Sequence, residues 1–314
     1  MSYRYGQVTS MFDLLDNIID VAQSDSWEIK RSYNLNYNGT SRVGGVILRG
    51  VGDGNDNLYV HIGINPVNFK EFIIDSSAGL DSELEIWEQP GSIHQWNKVD
   101  DDVATGLPVY TDAKIPSFSI TDNEQFNYFI FSNTYRIIVV CKLSIDYQSM
   151  YLGFLNPISS ERQYPYPMYI AGNNVVGATG WPSNITPSFV FPTKGSGWLR
   201  RADGVWRMFE APYSANISPN SLGALFPFDC NNTSLVPNYT EEVTTDVDFL
   251  LMPIILHTNN PVDLNGLLIN TYWISGTRDV AAEQLVVIDG KQYMIFDAGQ
   301  ARGNNSYFCI LIED

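Results

Sequence analysis

The only imidazoles in the chain are His61, His94 and His257. They form neither an HxH nor an HExxH pair, the spacings that bring two ring nitrogens onto one metal. His61 alternates with apolar residues in LYVHIGI, the pattern of a strand-surface or internally satisfied side chain. Carboxylates offer a second chemistry. ELEIWE sets Glu83 and Glu85 on one face of a possible strand, with Glu88 on the other beside Trp87. Acid pairs near aromatic rings are what glycoside hydrolysis uses, but neighbouring acids in so acidic a chain are more simply solvated. VGDGNDN gathers Asp53, Asn55, Asp56 and Asn57, oxygen ligands a calcium ion takes. The stretch lacks the spacing and closing glutamate of a helix–loop–helix calcium loop, and a hairpin turn accounts for it. There is no G-x-S-x-G elbow, no phosphate-cradling glycine loop with lysine and no nicotinamide fingerprint. Cys141, Cys230 and Cys309 are far apart and odd in number, and two of them sit in the apolar runs IIVVCKL and YFCILIED. A thiol there packs as a small hydrophobe. The expectation is a protein that is not an enzyme and holds neither metal nor cofactor.

Aromatic residues are the remaining signal, at 13% of the chain. They gather at Tyr164, Tyr166, Tyr169, Trp181, Trp198, Trp206 and Tyr213, among prolines, glycines and small polar residues. That mixture serves protein interfaces and sugar platforms alike. Within ERQYPYPMYI two prolines at alternate positions forbid helix and spoil a central strand. The expectation is that the prolines end sheet pairing and turn a stiff tyrosine strip outward. The competing account packs the same rings under the protein's own loops.

A length of 314 residues admits one large β domain or two smaller ones. Charged residues make up 17%, below the roughly 25% of an ordinary soluble domain, which suits surfaces buried against other subunits. The net charge of −17, from 18 basic and 35 acidic residues, repels phosphate backbones and argues against nucleic acid as a partner. The opening MSYRYGQVTSMFDLLD has no charged-then-apolar signal pattern, and no apolar run approaches the length of a membrane span. Assembly in a reducing cytoplasm, without a membrane, is expected.

The elements that must carry these residues are mostly strands. The exception is one amphipathic helix. Ser10 and Asp13 have capping-box spacing, and Phe12, Leu15, Ile18, Ile19 and Ala22 recur at helical intervals. WEIKRSYNLNYNG, VGGVILRG with LYVHIGIN, FNYFIFS with RIIVVCKL, and LVVIDGKQYMIF read as hairpins, the last around Asp289-Gly290. YFCILIED reads as a final strand paired inside a sheet. Residues 157–240, rich in proline, glycine and tryptophan, read as long ordered loops with short strands. The expected fold is mainly β, an antiparallel β-sandwich-like arrangement with one N-terminal helix. A boundary near residue 120 separates a helix-plus-β region, 1–120, from a sandwich-like domain, 121–314.

YLGFLNPISSERQYPYPMYIAGN, SGWLRRADGVWRMF and the C-terminal series GLLINTYWISG, VVIDGKQYMIF and YFCILIED together resemble virion structural proteins of tailed bacteriophages. The resemblance spans roughly residues 125–314; the first 120 residues show no such match. It implies a multicopy tail component, at the baseplate or tail tip, made in the host cytoplasm and built into the virion against other tail proteins and copies of itself. It implies no catalytic residues. A neck or collar protein, a host-receptor or carbohydrate-binding module, and a polysaccharide-degrading enzyme are the rivals.

Overall fold

The structure is a computed structural model of the chain. It describes residues 1–52, 56–85, 88–93, 100–101, 108–109, 115–120, 125–158, 166–176, 188–190, 192, 195–201, 203–209, 222–225, 251–258, 263–274, 280–298 and 307–313. The first strands are β1 (Ser2–Val8), β2 (Glu28–Tyr37), β3 (Thr40–Val51), β4 (Asn57–Ile64), β5 (Glu71–Ser77), β6 (Asp100–Asp101) and β7 (Pro108–Val109). Next come β8 (Pro116–Ser119), β9 (Phe126–Asn133), β10 (Arg136–Leu143), β11 (Asp146–Asn156), β12 (Met168–Ala171), β13 (Asn174–Val175) and β14 (Gly197–Arg200). The last are β15 (Trp206–Met208), β16 (Leu222–Leu225), β17 (Leu251–Thr258), β18 (Asp263–Ile274), β19 (Leu285–Ile288), β20 (Lys291–Asp297) and β21 (Tyr307–Glu313). The helix is α1 (Met11–Ser24).

Turn chemistry sets the hairpins. Asn38 and Gly39 join β2 to β3 with φ of 51° and 80°, and Asp289 and Gly290 join β19 to β20 with φ of 52° and 78°. Two consecutive positive φ values give the turn whose twist matches that of paired strands. The larger sheet runs β1-β9-β10-β11-β18-β21-β20-β19 and branches at β11, where Tyr151–Phe154 pair with β12 while Leu155 and Asn156 pair with β18. β14 and β15 extend the β12 branch, and β16 and β17 flank β18. The smaller sheet runs β13-β8-β5-β4-β3-β2. All the strand pairs are antiparallel, so the fold is mainly β and sandwich-like, with one helix.

Both faces of β9–β11 are buried, which is why RIIVVCKL reads as an unbroken apolar run. Ile130, Ile137, Val139 and Leu152 face the smaller sheet, where Leu48, Val60, Ile62 and Phe72 meet them. Phe131, Ile138, Val140 and Tyr151 face the other way, against Leu268, Phe296, Phe308 and Ile310 of the same sheet. The larger sheet therefore curls over on itself. Ring centroids of Phe129 and Phe296 stand 5.2 Å apart across the hollow.

Ser10 caps α1 by accepting a hydrogen bond from the Asp13 amide at 3.1 Å. The expected apolar stripe is buried, and Met11, Leu14 and Val21 are buried with it. The stripe is wide because α1 packs on β1 and β9 of one sheet and on β2 and β3 of the other. Arg42 bonds Asp13 and Asp16 from β3, pinning the polar side.

The chain passes from β8 of the smaller sheet to β9 of the larger one. The two segments nevertheless interlock, because β1 lies in the larger sheet beside β9 and β13 lies in the smaller one beside β8. The second exchange occurs at Gly172-Asn173. Gly172 donates its amide to Ser196 O at 2.8 Å. Asn173, fully buried, accepts from the Ser119 amide and donates to Ser119 O and Gln148 Oε1, each at 3.0 Å. One amide side chain thus ties β8 to β11 where the chain passes between sheets. Within 157–240 the described residues supply β12 to β16 and short stretches beside them.

Candidate functional site

Four of the seven aromatic residues singled out fall among the described residues, and all four are interior; Tyr213 lies outside the described residues. Tyr166 and Tyr169 do not form an outward strip. The strand β12 begins directly after Pro167, pairs on both sides with β11 and β14, and carries Tyr169 into the hollow of the larger sheet. The missing amide of proline is no obstacle at a strand start. Tyr169 donates to Phe189 O at 2.9 Å, and burial pushes its phenol well above the ordinary range. Tyr166 gives its amide to Asp56 Oδ2 at 2.8 Å. Trp198 donates to Gly195 O at 3.2 Å and Trp206 to Gly91 O at 2.8 Å, and both rings join the core between the sheets. A buried indole or phenol needs one acceptor for its polar tip, and the backbone supplies each. Tyr164 and Trp181 lie outside the described residues.

The residues considered for chemistry are likewise dispersed. Glu83 and Glu85 are exposed and Glu83 sits in a turn, not the strand expected for ELEIWE. The Gln89 amide organises that loop, donating to the carbonyls of Asp81, Leu84 and Glu85. In VGDGNDN, Asp56 serves Tyr166 and Asn57 accepts from Arg49 Nε at 2.8 Å; Asp53 and Asn55 lie outside the described residues. Burial pushes the Cys141 and Cys309 thiols up, so they stay protonated and inert. Among the described residues no group of three or more His, Cys, Asp or Glu is placed to hold a metal. Nor, among them, is any helix long and apolar enough to cross a membrane.

His61 lies on the outer face of the smaller sheet, opposite Asp75 in register. The Tyr33 hydroxyl stands 3.4 Å from His61 Nε2, and its ring crosses Gly45 and Gly63, where an added Cβ would come within 2.2 and 2.4 Å of it. Burial raises the Tyr33 phenol to about 12. Tyr59, His61, Asp75, Ser77 and Gln89 line a shallow groove here that opens to solvent. Among the described residues that line it, Asp75 is the one carboxylate.

The surface feature that stands out is the end of the larger sheet. Among the described residues β19 pairs only with β20. Leu285 and Val287, on one face of this edge strand, are 55% and 63% exposed. LVVIDGKQYMIF forms the expected hairpin; the sequence signal for its edge position is four apolar residues in a row, LVVI.

Next to that edge the curled sheet is fastened to itself. Glu283, just before β19, takes hydrogen bonds from Lys142 of β10 and Tyr147 of β11, and Tyr3 of β1 reaches Met294 Sδ of β20 at 3.6 Å. Burial opposes ionisation of Glu283, but the bonds from Lys142 and Tyr147 and the lysine charge outweigh it and hold the carboxyl below its ordinary value. A carboxylate whose folded pKa is depressed stabilises above its unfolded pKa, and the gain is lost as pH falls through the folded value. Stability is therefore expected to fall as pH drops below about 4.5, by at most about 1 kcal/mol from this partly exposed pair. Subtracting the urea-unfolding pH profile of Glu283→Gln from that of the parent isolates the contribution; superimposable profiles would remove it.

No family model matches the chain, and no curated protein matches it.

Proposed function

We propose that the chain is a structural component of a bacteriophage tail, at the baseplate or tail tip, built into the virion in several copies. It holds neighbouring subunits through strand contacts and performs no catalysis. The observation that carries this reading is the β19 edge, unpaired on its far side among the described residues, with Leu285 and Val287 exposed. Free proteins blunt their edge strands with charge, proline or a covering loop, because a bare apolar edge recruits other strands. Leu285–Ile288 has none of these within it. In a particle the same edge is useful, since a neighbour's strand adds to it through main-chain hydrogen bonds while Leu285 and Val287 enter its pockets. The resemblance of residues 125–314 to virion structural proteins of tailed bacteriophages is in keeping with a place in the particle. So is the low charge content, which leaves more surface for burial between subunits.

The test is the double substitution Leu285→Lys with Val287→Lys. Both positions are exposed, so the purified chain should unfold within about 0.5 kcal/mol of the parent. Incorporation into particles, measured by complementing a phage that lacks the gene, should fall at least about tenfold. Normal incorporation of the double variant would overturn the reading. Density for the chain in the assembled particle then decides between the tail tip and a neck or collar.

A further inference from the structure

We infer that Arg136 is an anion-binding residue, the core of a site for one small free carboxylate inside the curled sheet at its Met1 end. Arg136 opens β10, and strand alternation puts its side chain on the same face as Ile138 and Val140, towards the hollow. It has 0% exposure. The guanidinium Nη2 meets Met1 Sδ at 3.4 Å, and a thioether is a weak acceptor. Nε and Nη1 meet no protein acceptor. Tyr151 forms no hydrogen bond to them; its hydroxyl donates to Phe154 O at 2.6 Å and accepts from the Ile269 amide at 3.4 Å. Asp25 acts on Arg136 only through space, while its carboxylate accepts the Ser2 amide at 3.2 Å.

Burial lowers the guanidinium to about 10, so it remains a cation at neutral pH. The fold makes room for it. Opposite in β11 stands Gly153, where any Cβ would lie 2.6 Å from Arg136 Cβ. A buried cation without an anion is rare in native proteins, and an unsatisfied buried group points to a bound ion or to a functional role. Nε and Nη2 share one edge of the guanidinium, the edge that holds a carboxylate by two parallel hydrogen bonds. The Met1 sulfur occupies half of that edge. Met1 itself is 45% exposed, so it can swing outward and let the anion in. A side chain from another subunit would have to reach a fully enclosed group, which favours a small free ion.

The test is nuclear magnetic resonance of the full chain, with arginine Nε–H and methionine methyl groups labelled, titrated with sodium formate. The Arg136 Nε–H and Met1 methyl signals should shift together along one saturating curve, with a midpoint below about 100 mM. Arg136→Lys keeps a charge but not the fork, so the Met1 curve should weaken at least about tenfold. If neither signal moves, or if Arg136→Lys leaves the Met1 curve unchanged, the site takes water alone and the inference fails.

Discussion

Arg136→Met will stabilise the protein. Removing a buried, unpaired charge and filling its space with an apolar side chain of similar length relieves a desolvation penalty that no ion pair offsets. Nε and Nη1 have no acceptor and Nη2 has only a thioether, so little is lost with the guanidinium. A gain of about 1–4 kcal/mol is expected, read as a higher urea midpoint at unchanged slope. In formate the gap between variant and parent should narrow, because the anion stabilises only the arginine chain. A lower midpoint for Arg136→Met in formate-free buffer would mean that the arginine is compensated in the resting protein, and the picture of an unpaired guanidinium would be wrong. A residue that lowers stability and persists in a core is better explained by use than by packing.

Gly172→Ala has the largest expected effect in the opposite direction. An added Cβ would sit 1.9 Å from Ser117 O and 2.6 Å from Ser117 C. Both are backbone atoms of β8, so no side-chain rotation relieves the clash, and the two sheets must move apart at the point where the chain passes between them. The next residue makes the damage worse, since Asn173 supplies both bonds to Ser119 and the one to Gln148 only while that junction holds. A loss of about 4 kcal/mol or more is expected, seen as insoluble expression or as early melting of both sheets together. Parent-like melting of Gly172→Ala would show that the two sheets have room to slide at this joint.

Local signals made much of this architecture readable in advance. The α1 stripe, the Asn38-Gly39 and Asp289-Gly290 turns and the apolar pair β9–β10 each depend on residues within a few positions of one another. What escaped was set at long range. β1 was not expected, because SYRYGQV becomes a strand through β9, far along the chain. For the tyrosines and tryptophans of the proline-rich region, composition left an outward interface and burial under the protein's own loops both open. Their burial depends on acceptors as distant as Gly91 O for Trp206. Nothing local in RIIVVCKL marks Arg136; its surroundings are set by Gly153 across from it and Met1 over it, neither nearby in sequence.

The pairing of β1 with β9 also dictates an order of events during synthesis. β1 emerges from the ribosome first, yet its partner follows only after every strand of the smaller sheet except β13. Hairpins β2–β3 and β3–β4 close quickly, as local contacts do, whereas joining β1 to β9 must first overcome the closure of a long loop. Until β9 arrives, the apolar stripe of α1 has only half its packing surface. The nascent chain is therefore most adhesive in that interval, and premature encounters between unfinished copies have their opening there.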